Sequence, residues 1–166
     1  MAKKRLILGI DLGTTFSLAC MRMGEEQFHF FTPEPGGDPL VPSVFLNNPY
    51  KNNGQSGYEI LVGAKAEIEG QREEHQPHTV RHVKRSMKRN YQEGDQKPET
   101  FRSHGQDFLP YQISGHILKT LKKAAEKEFV SETGRIPRDE YEWRGDIYSA
   151  VITVPAYFGP SERAAT

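Results

Sequence analysis

The sequence lacks the features that define several large protein classes. It has one cysteine, Cys20, so intrachain disulfides are excluded and Cys20 is expected to be a small core residue. No apolar run approaches the roughly 20 residues that a membrane-spanning helix needs. Basic residues 3–5 precede apolar ones, as in a secretory leader, but Asp11 interrupts that run. A cytoplasmic location is therefore expected, because a reducing compartment suits a lone thiol.

Net charge is also absent. The 22 basic and 22 acidic side chains cancel, and the isoelectric point is near 7.0. This balance disfavours bulk attraction to nucleic acid or to an anionic membrane, so neither is expected as a partner. A length of 166 residues permits one domain or a lobe of a larger protein.

The most informative stretch lies near the N-terminus. An apolar run, Leu6–Ile10, ends at the carboxylate Asp11; the polar Gly13–Thr15 follows, and apolar residues return over Phe16–Met21. This outline is typical of a β-hairpin. Its tip offers a glycine for close approach, amide and hydroxyl donors, and an acid suited to a cation. These groups suit a phosphate, but an ordinary capped turn is an alternative that the motif alone leaves open.

The first 62 residues carry an alternating pattern interrupted by proline and glycine, which predicts strands joined by turns. Strands are expected at 5–10, 16–22, 27–32, 41–46 and 58–62, with turns or loops at 24–26, 33–39 and 47–57.

Helical spacing begins after residue 63. It predicts a short helix from Ala64 and a second over Thr79–Asn90, whose apolar face holds Val80, Val83, Met87 and Tyr91. Residues 92–105 are polar and are expected to be irregular.

The clearest helix is expected over Tyr111–Phe129, where seven apolar residues form one face. A charged insertion, Ser131–Asp146, precedes Ala150–Val154, which is interpreted as a fully buried strand stopped by Pro155. A last helix is expected to begin at Gly159–Arg163 and to be cut off at Thr166, which suggests the front part of a longer protein.

Three segments together resemble one family. Gly9–Ser17 is similar to the first phosphate motif of the actin-like ATPase superfamily. Val151–Phe158 followed by Ser161–Thr166 resembles a signature of the heat-shock protein 70 (DnaK-like) chaperone family within it, and Thr79-Val80 with Lys84-Arg85 resembles that family's lysine-bearing helix. The resemblance runs along nearly the whole chain but covers only the first lobe of the family's nucleotide-binding domain.

The resemblance implies an α/β fold: an actin-like ATPase (ribonuclease H-like) lobe, with a mixed sheet, flanking helices and a small α+β insertion subdomain. Residues 1–38 would form the first part of the core subdomain, 39–109 the inserted subdomain carrying Lys84, and 110–166 the second part of the core, truncated in its last helix.

The resemblance also implies roles in binding ATP or ADP with Mg²⁺. Asp11 would act on the metal ion through a water, and Lys84 would reach the γ-phosphate and position the attacking water. The β- and γ-phosphates would be surrounded by Gly13, Thr14, Thr15 and Phe16.

Further along the chain, Pro155 and Arg163 match positions that relay the nucleotide state to a substrate-binding domain. The implied activity is ATP hydrolysis that controls the binding of unfolded polypeptides, with J-domain and nucleotide-exchange co-chaperones as partners. The 166-residue chain alone would bind ATP weakly and be inactive, because the nucleotide-binding residues of the family's second lobe lie outside it.

This sequence departs from the family pattern at three places. Phe16 stands where Tyr or Asn is frequent, Gly159-Pro160 replaces a polar pair, and the insertion Ser131–Asp146 is long, which suggests a divergent bacterial member.

Alternatives remain for the function and for two clusters. A small-molecule kinase of the same fold, or a non-enzymatic regulatory or interaction module, would share the hairpin. Lys84 would be a surface charge if the basic residues around it only formed a solvated helix face. His75, His78 and His82 suggest a metal site, although a surface histidine cluster is the ordinary explanation.

Overall fold

The computed structural model describes residues 3–23, 27–34, 36–52, 55–90, 99–131, 136, 138–155, 158–160, 163 and 166. It contains strands, two α-helices and three 3₁₀ turns at Gln76–His78, Val83–Asn90 and Arg138–Glu140. In chain order the elements are β1 (Lys4–Arg5), β2 (Leu8–Asp11), β3 (Phe16–Arg22), β4 (Phe28–Phe31), β5 (Val41–Pro42), β6 (Val44–Asn52), β7 (Gln55–Val62), α1 (Ala64–Glu69), β8 (Val80–Arg81), β9 (Phe101–Ser103), β10 (Gln106–Phe108), α2 (Pro110–Val130), β11 (Tyr141–Glu142) and β12 (Ala150–Thr153).

A mixed five-stranded sheet forms the centre of the fold. Its order is β12-β2-β3-β4, and β5 pairs with one end of β3. Strand β12 runs parallel to β2, with Thr153 beside Asp11, whereas β2, β3 and β4 are antiparallel. The parallel pairing brings the carboxyl ends of β2 and β12 to one edge, where the β2–β3 turn also lies.

A second sheet has the order β7-β6-β8. The prediction of a loop over residues 47–57 is wrong, because β6 and β7 pair continuously from Phe45↔Val62 to Asn52↔Gln55. Asn47 is buried, and its amide groups bond to Ser103, so tertiary contacts outweigh the low strand propensity of asparagine. Residues 53–54 lie outside the described part.

The predicted helix over Thr79–Asn90 is wrong at its start. Val80 pairs with Phe45 in the sheet. His82 has a φ of 59°, so the backbone changes direction there, before the 3₁₀ turn at Val83–Asn90. Val83 and Met87 are buried as their spacing indicated, while Tyr91 lies outside the described residues.

The irregular region expected over residues 92–105 is wrong from 101 onward. Strands β9 and β10 form a short hairpin through His104 and Gly105, whose φ angles are 46° and 82°. Two successive positive φ values define a type I′ turn, which matches the twist of the strands. Residues 91–98 are not described.

Helix α2 confirms the strongest prediction of the sequence. Pro110 occupies its first turn, and the Gln112 side chain accepts the Leu109 N–H at 2.8 Å, which caps the helix start. The buried face of α2 packs against β2, β3 and β4, and the same apolar cluster includes Phe45 and Val83. That face consists of Ile113, Ile117, Leu121, Ala124, Ala125 and Phe129.

Strand β12 forms where the sequence predicts it, but it is not fully buried. Ile152 packs against the core, whereas Val151 on the other face is 62% exposed. In the part of the chain that the structure describes, α2 covers one face of the central sheet, and Phe28 and Phe30 are also exposed on the opposite face. The continuous apolar run therefore overstated the burial of an edge strand.

The C-terminal half of the insertion packs onto the fold. Ile136 and Tyr141 are buried, Trp143 lies 4.8 Å from the Phe129 ring, and β11 pairs with β1. Residues 132–135 and 137 are outside the description. Of the last predicted helix, Pro160 and Arg163 are helical, and Arg163 N–H donates to the Gly159 carbonyl at 3.1 Å.

No described helix is long and apolar enough to cross a membrane. The division at residues 38 and 109 stays a prediction.

Candidate functional site

The site begins at the carboxyl end of β2. Asp11 is exposed there, and one of its carboxylate oxygens accepts a hydrogen bond from the Thr153 hydroxyl. Thr153 is beside Asp11 in the parallel β2–β12 pair, so the sheet register orients this carboxylate.

Gly13 shapes the turn that follows. A Cβ built on Gly13 would lie 1.9 Å from the Phe16 carbonyl oxygen, so no other residue fits without moving the backbone. The Gly13 N–H donates to the Ser17 hydroxyl at 3.1 Å. The turn is therefore closed tightly across its base.

Two buried serines hold this turn. The Ser43 hydroxyl donates to the Gly13 carbonyl at 2.9 Å, and the Ser17 and Ser43 hydroxyl oxygens are 2.9 Å apart. Because the Ser43 proton is used on Gly13, Ser17 must donate to Ser43 while it accepts from the Gly13 N–H. Ser43 N–H also donates to the Thr15 carbonyl at 2.8 Å. The sequence carried no signal for the role of Ser43, which depends on β5 returning beside β3.

The threonines and Phe16 line a cavity of about 310 Å³ beside the turn. Thr14 is half-buried, Thr15 is exposed, and Phe16 is 48% exposed. Arg81 and His82 also line this cavity, and Arg81 is paired with Glu67 at 3.1 Å. Hydroxyls and a guanidinium thus border one space at the hairpin tip.

Lys84 reaches this turn from the 3₁₀ turn Val83–Asn90. Its side chain is buried, and Nζ donates to the carbonyl of Leu12, which lies between Asp11 and Gly13. Burial lowers the pKa of Lys84, while the Asp11 carboxylate opposes this effect and favours the charged form. The solvated-face interpretation is therefore wrong about the position of Lys84.

Residues after β12 contact Lys84 from another side. The Lys84 Nζ lies 5.8 Å from the centre of the buried Phe158 ring. Phe158 N–H donates to the Pro155 carbonyl at 3.0 Å, and Arg163 Nε donates to the Phe158 carbonyl at 2.9 Å. Pro155 and Arg163 are thus both linked to the residue that packs against Lys84.

Comparison with known proteins identifies the family. The model of the Hsp70 protein family matches residues 7–166. The chain belongs to the Hsp70 family. It is 34% identical over 163 residues to the chaperone protein DnaK of Ureaplasma parvum serovar 3 in two strains, ATCC 27815 and ATCC 700970. The alignments cover 98% of this chain but only 21% of each relative's length. The α/β lobe is that of the family's ATPase domain.

The histidines of this Hsp70 chain do not group as the sequence suggested. His75 and His78 lie together with His104, whereas His82 lines the cavity at the hairpin tip. Among the described residues, no group of three histidine, cysteine or acidic side chains has the arrangement of a metal site.

A second cleft, of about 380 Å³, lies between the loop that contains Pro33 and helix α2. It is larger than the cavity at the hairpin tip, but none of the proposed phosphate-binding residues lines it. Lys65 at its rim is already paired with Glu34 at 3.1 Å. Its size alone is therefore a weaker argument for a nucleotide site than the donors at the hairpin.

Proposed function

We propose that this chain is the N-terminal lobe of an Hsp70-type chaperone that hydrolyses Mg²⁺-ATP to control the binding and release of unfolded polypeptides. The observation that carries the proposal is the contact between Lys84 and the Leu12 carbonyl at the β2–β3 turn. A lysine distant in sequence is held buried against a turn with one exposed carboxylate, which is an arrangement suited to a phosphate and its cation.

The residues at the turn fit these groups. Gly13 allows the tight turn that places these groups together, because a Cβ at this position would overlap the Phe16 carbonyl oxygen. In this proposal the amides and hydroxyls of Gly13–Phe16 bind the β- and γ-phosphates, and Asp11 holds Mg²⁺ through water. The metal ion, when bound, neutralises charge on the phosphates.

Lys84 would place its positive charge at the γ-phosphate and orient the attacking water. Its Leu12 partner is a neutral carbonyl, which an anionic phosphate oxygen outcompetes because charge-assisted hydrogen bonds are stronger. Phosphoryl transfer depends mainly on positioning and on charge stabilisation, and both follow from a lysine held by burial.

Pro155 and Arg163 are proposed to relay the nucleotide state. The Phe158 ring contacts Lys84, and the Phe158 backbone bonds to both Pro155 and Arg163. A shift of Lys84 toward a phosphate would alter the packing of Phe158 first. Unfolded polypeptides, J-domain proteins and nucleotide-exchange factors in the cytoplasm are the proposed partners of the whole protein, and nucleic acid and membranes are not.

Lys84→Met tests the proposal. Methionine keeps the apolar stem without the charge, so Mg²⁺-ATP affinity should fall by about tenfold, which is about 1.4 kcal/mol. The free energy of unfolding should change by less than about 1 kcal/mol, because removing a buried charge offsets the lost hydrogen bond. Isothermal titration calorimetry and urea unfolding measure the two quantities.

Lys119→Met is the matched control, because Lys119 is exposed on α2. It should leave ATP affinity unchanged. Equal affinities for the wild type and Lys84→Met would contradict the proposal.

The 166-residue chain should bind ATP weakly and hydrolyse it negligibly, since it spans only 21% of the length of its relatives. The same Lys84→Met change in a longer protein that contains this lobe should abolish ATPase activity, whereas a non-enzymatic module would show no change.

A further inference from the structure

Three imidazoles meet at the β9–β10 turn, away from the proposed phosphate site. His75 Nδ1 and His104 Nε2 are 2.8 Å apart, and the ring centres of His78 and His104 are 4.1 Å apart. His75 is buried, and His78 and His104 are half-buried. The three rings are therefore close enough for a charge on one ring to act on the other two.

The turn is built to present His104. His104 and Gly105 both have positive φ angles, and the residue before the glycine of a type I′ turn is usually asparagine. Histidine adopts a positive φ more readily than most residues, but this backbone conformation alone does not stabilise it. The backbone thus turns a histidine side chain toward His75 and His78.

Further hydrogen bonds join this turn to the residues before Lys84. Ser103 Oγ donates to the His78 carbonyl at 2.8 Å and accepts the Asn47 N–H at 3.1 Å. Thr79 Oγ1 donates to the His75 carbonyl at 2.8 Å. We call residues 75–84 the connecting segment, because they lead from this cluster through β8 to Lys84.

The chemistry of the cluster limits its charge. A hydrogen bond between two imidazole nitrogens needs one donor and one acceptor, so it is lost when both rings are protonated. A second proton would also place like charges within the cluster. The Glu74 carboxylate lies 3.7 Å from His75 Nε2, but the Glu74 side chain is 72% exposed, so solvent weakens its interaction with the cluster.

We propose that His75, His78 and His104 form a proton-operated latch, which holds the start of the connecting segment against the β9–β10 turn at neutral pH and releases it as the pH falls. This device is independent of the ATP proposal, because its test measures proton binding and local opening in the chain itself.

The direction of the pH effect follows from the folded cluster. Burial, then the nearby His78 and His75, lowers the pKa of His104 below its ordinary value of 6.5, and Glu74 opposes this only in part. The open form therefore binds protons more readily than the closed form. Stability from the latch is complete above pH 6.5 and is lost as the pH falls through the lowered pKa.

His104→Asn tests the latch without breaking the turn, because Asn-Gly is a preferred type I′ pair. In the wild type, the opening constant at residues 75–79, measured by hydrogen exchange, should rise by about tenfold per pH unit for each extra proton bound on opening. In His104→Asn this rise should disappear, and its unfolding midpoint should fall less steeply between pH 7 and 5. His82→Asn is the control, since His82 also has a positive φ but lies outside the cluster.

Three results would overturn the latch. One is the same pH slope in all three proteins. Another is a His104 ring that titrates at or above 6.5 by NMR in the wild type, a measurement that does not depend on any variant folding. The third is a Zn²⁺-induced rise in the midpoint of the wild type but not of His104→Asn, which would identify a metal site instead. His116, whose pKa burial also lowers, affects all three proteins equally.

Discussion

Two hairpin turns of this chain receive basic side chains from the two ends of the connecting segment. Lys84 at its end contacts the β2–β3 turn, and His75 and His78 at its start contact the β9–β10 turn. A buried serine also makes a hydrogen bond at each turn: Ser43 donates to the Gly13 carbonyl, and Ser103 donates to the His78 carbonyl. The architecture is similar, but the first turn receives an ammonium group and the second receives imidazole rings.

The chemical difference between an ammonium group and an imidazole ring determines which interactions each turn can make. Burial lowers the pKa of Lys84 from its ordinary value of 10.5, and the Asp11 carboxylate opposes this by favouring the ammonium form, which is the form that attracts an anion to the first turn. Imidazoles titrate near neutrality, so the contacts of the second turn change with pH. The connecting segment therefore carries an ammonium group at one end and pH-sensitive imidazole rings at the other.

The largest expected difference between the turns concerns their glycines. Gly13→Ala should lower the free energy of unfolding by about 3 kcal/mol, because its Cβ would overlap the Phe16 carbonyl oxygen in a turn held by buried serines. Urea unfolding measures this. Gly115→Ala in helix α2 is the control: apart from the helix's own backbone and the adjacent residues, no described atom lies within 4 Å of its Cβ, so it should stabilise the fold by about 1 kcal/mol. Equal effects at both positions would show that the tight turn is absent.

The serines should give the next largest effect. Ser103→Ala leaves the His78 carbonyl and the Asn47 N–H without this hydroxyl, and a loss of about 2 kcal/mol is expected. Ser56→Ala, at an exposed position of β7, should change stability by less than about 0.5 kcal/mol. If Ser103→Ala also matched that small change, the β9–β10 turn would not be anchored as described.

The smallest effect is expected at Gly105. Its φ of 82° is unfavourable for alanine, but no described atom is within 4 Å of a Cβ there. Gly105→Ala should therefore cost only about 1 kcal/mol, from backbone strain alone. A thermal unfolding series beside Gly13→Ala checks the ranking, and a larger loss at Gly105 than at Gly13 would reverse the comparison.

Sequence reasoning succeeded where local chemistry is sufficient. The turn after Asp11 needs a glycine whatever surrounds it, and α2 has a long apolar face that is independent of its partners. It failed where pairing partners decide the structure. Asn47 enters a strand because Ser103 satisfies its amide, and Val80 leaves the predicted helix because Phe45 pairs with it.

The site divides in the same way. Asp11, Gly13, Thr14 and Thr15 are adjacent in the chain, so their proximity follows from the covalent structure. Ser43 and His104 carried no signal, because their importance depends on residues about 30 positions away that only folding brings near.

By itself, the sequence determined the tight turn after Asp11, the principal helix and the family, since these depend on local geometry and on the order of short motifs. Only the tertiary structure decided that Lys84 is buried against Leu12 and that three histidines share one turn. The physical reason is that a charged side chain on an amphipathic segment can face water or the interior. Which of the two it does depends on contacts between residues distant in the chain, as Leu12 and Lys84, 72 positions apart, demonstrate.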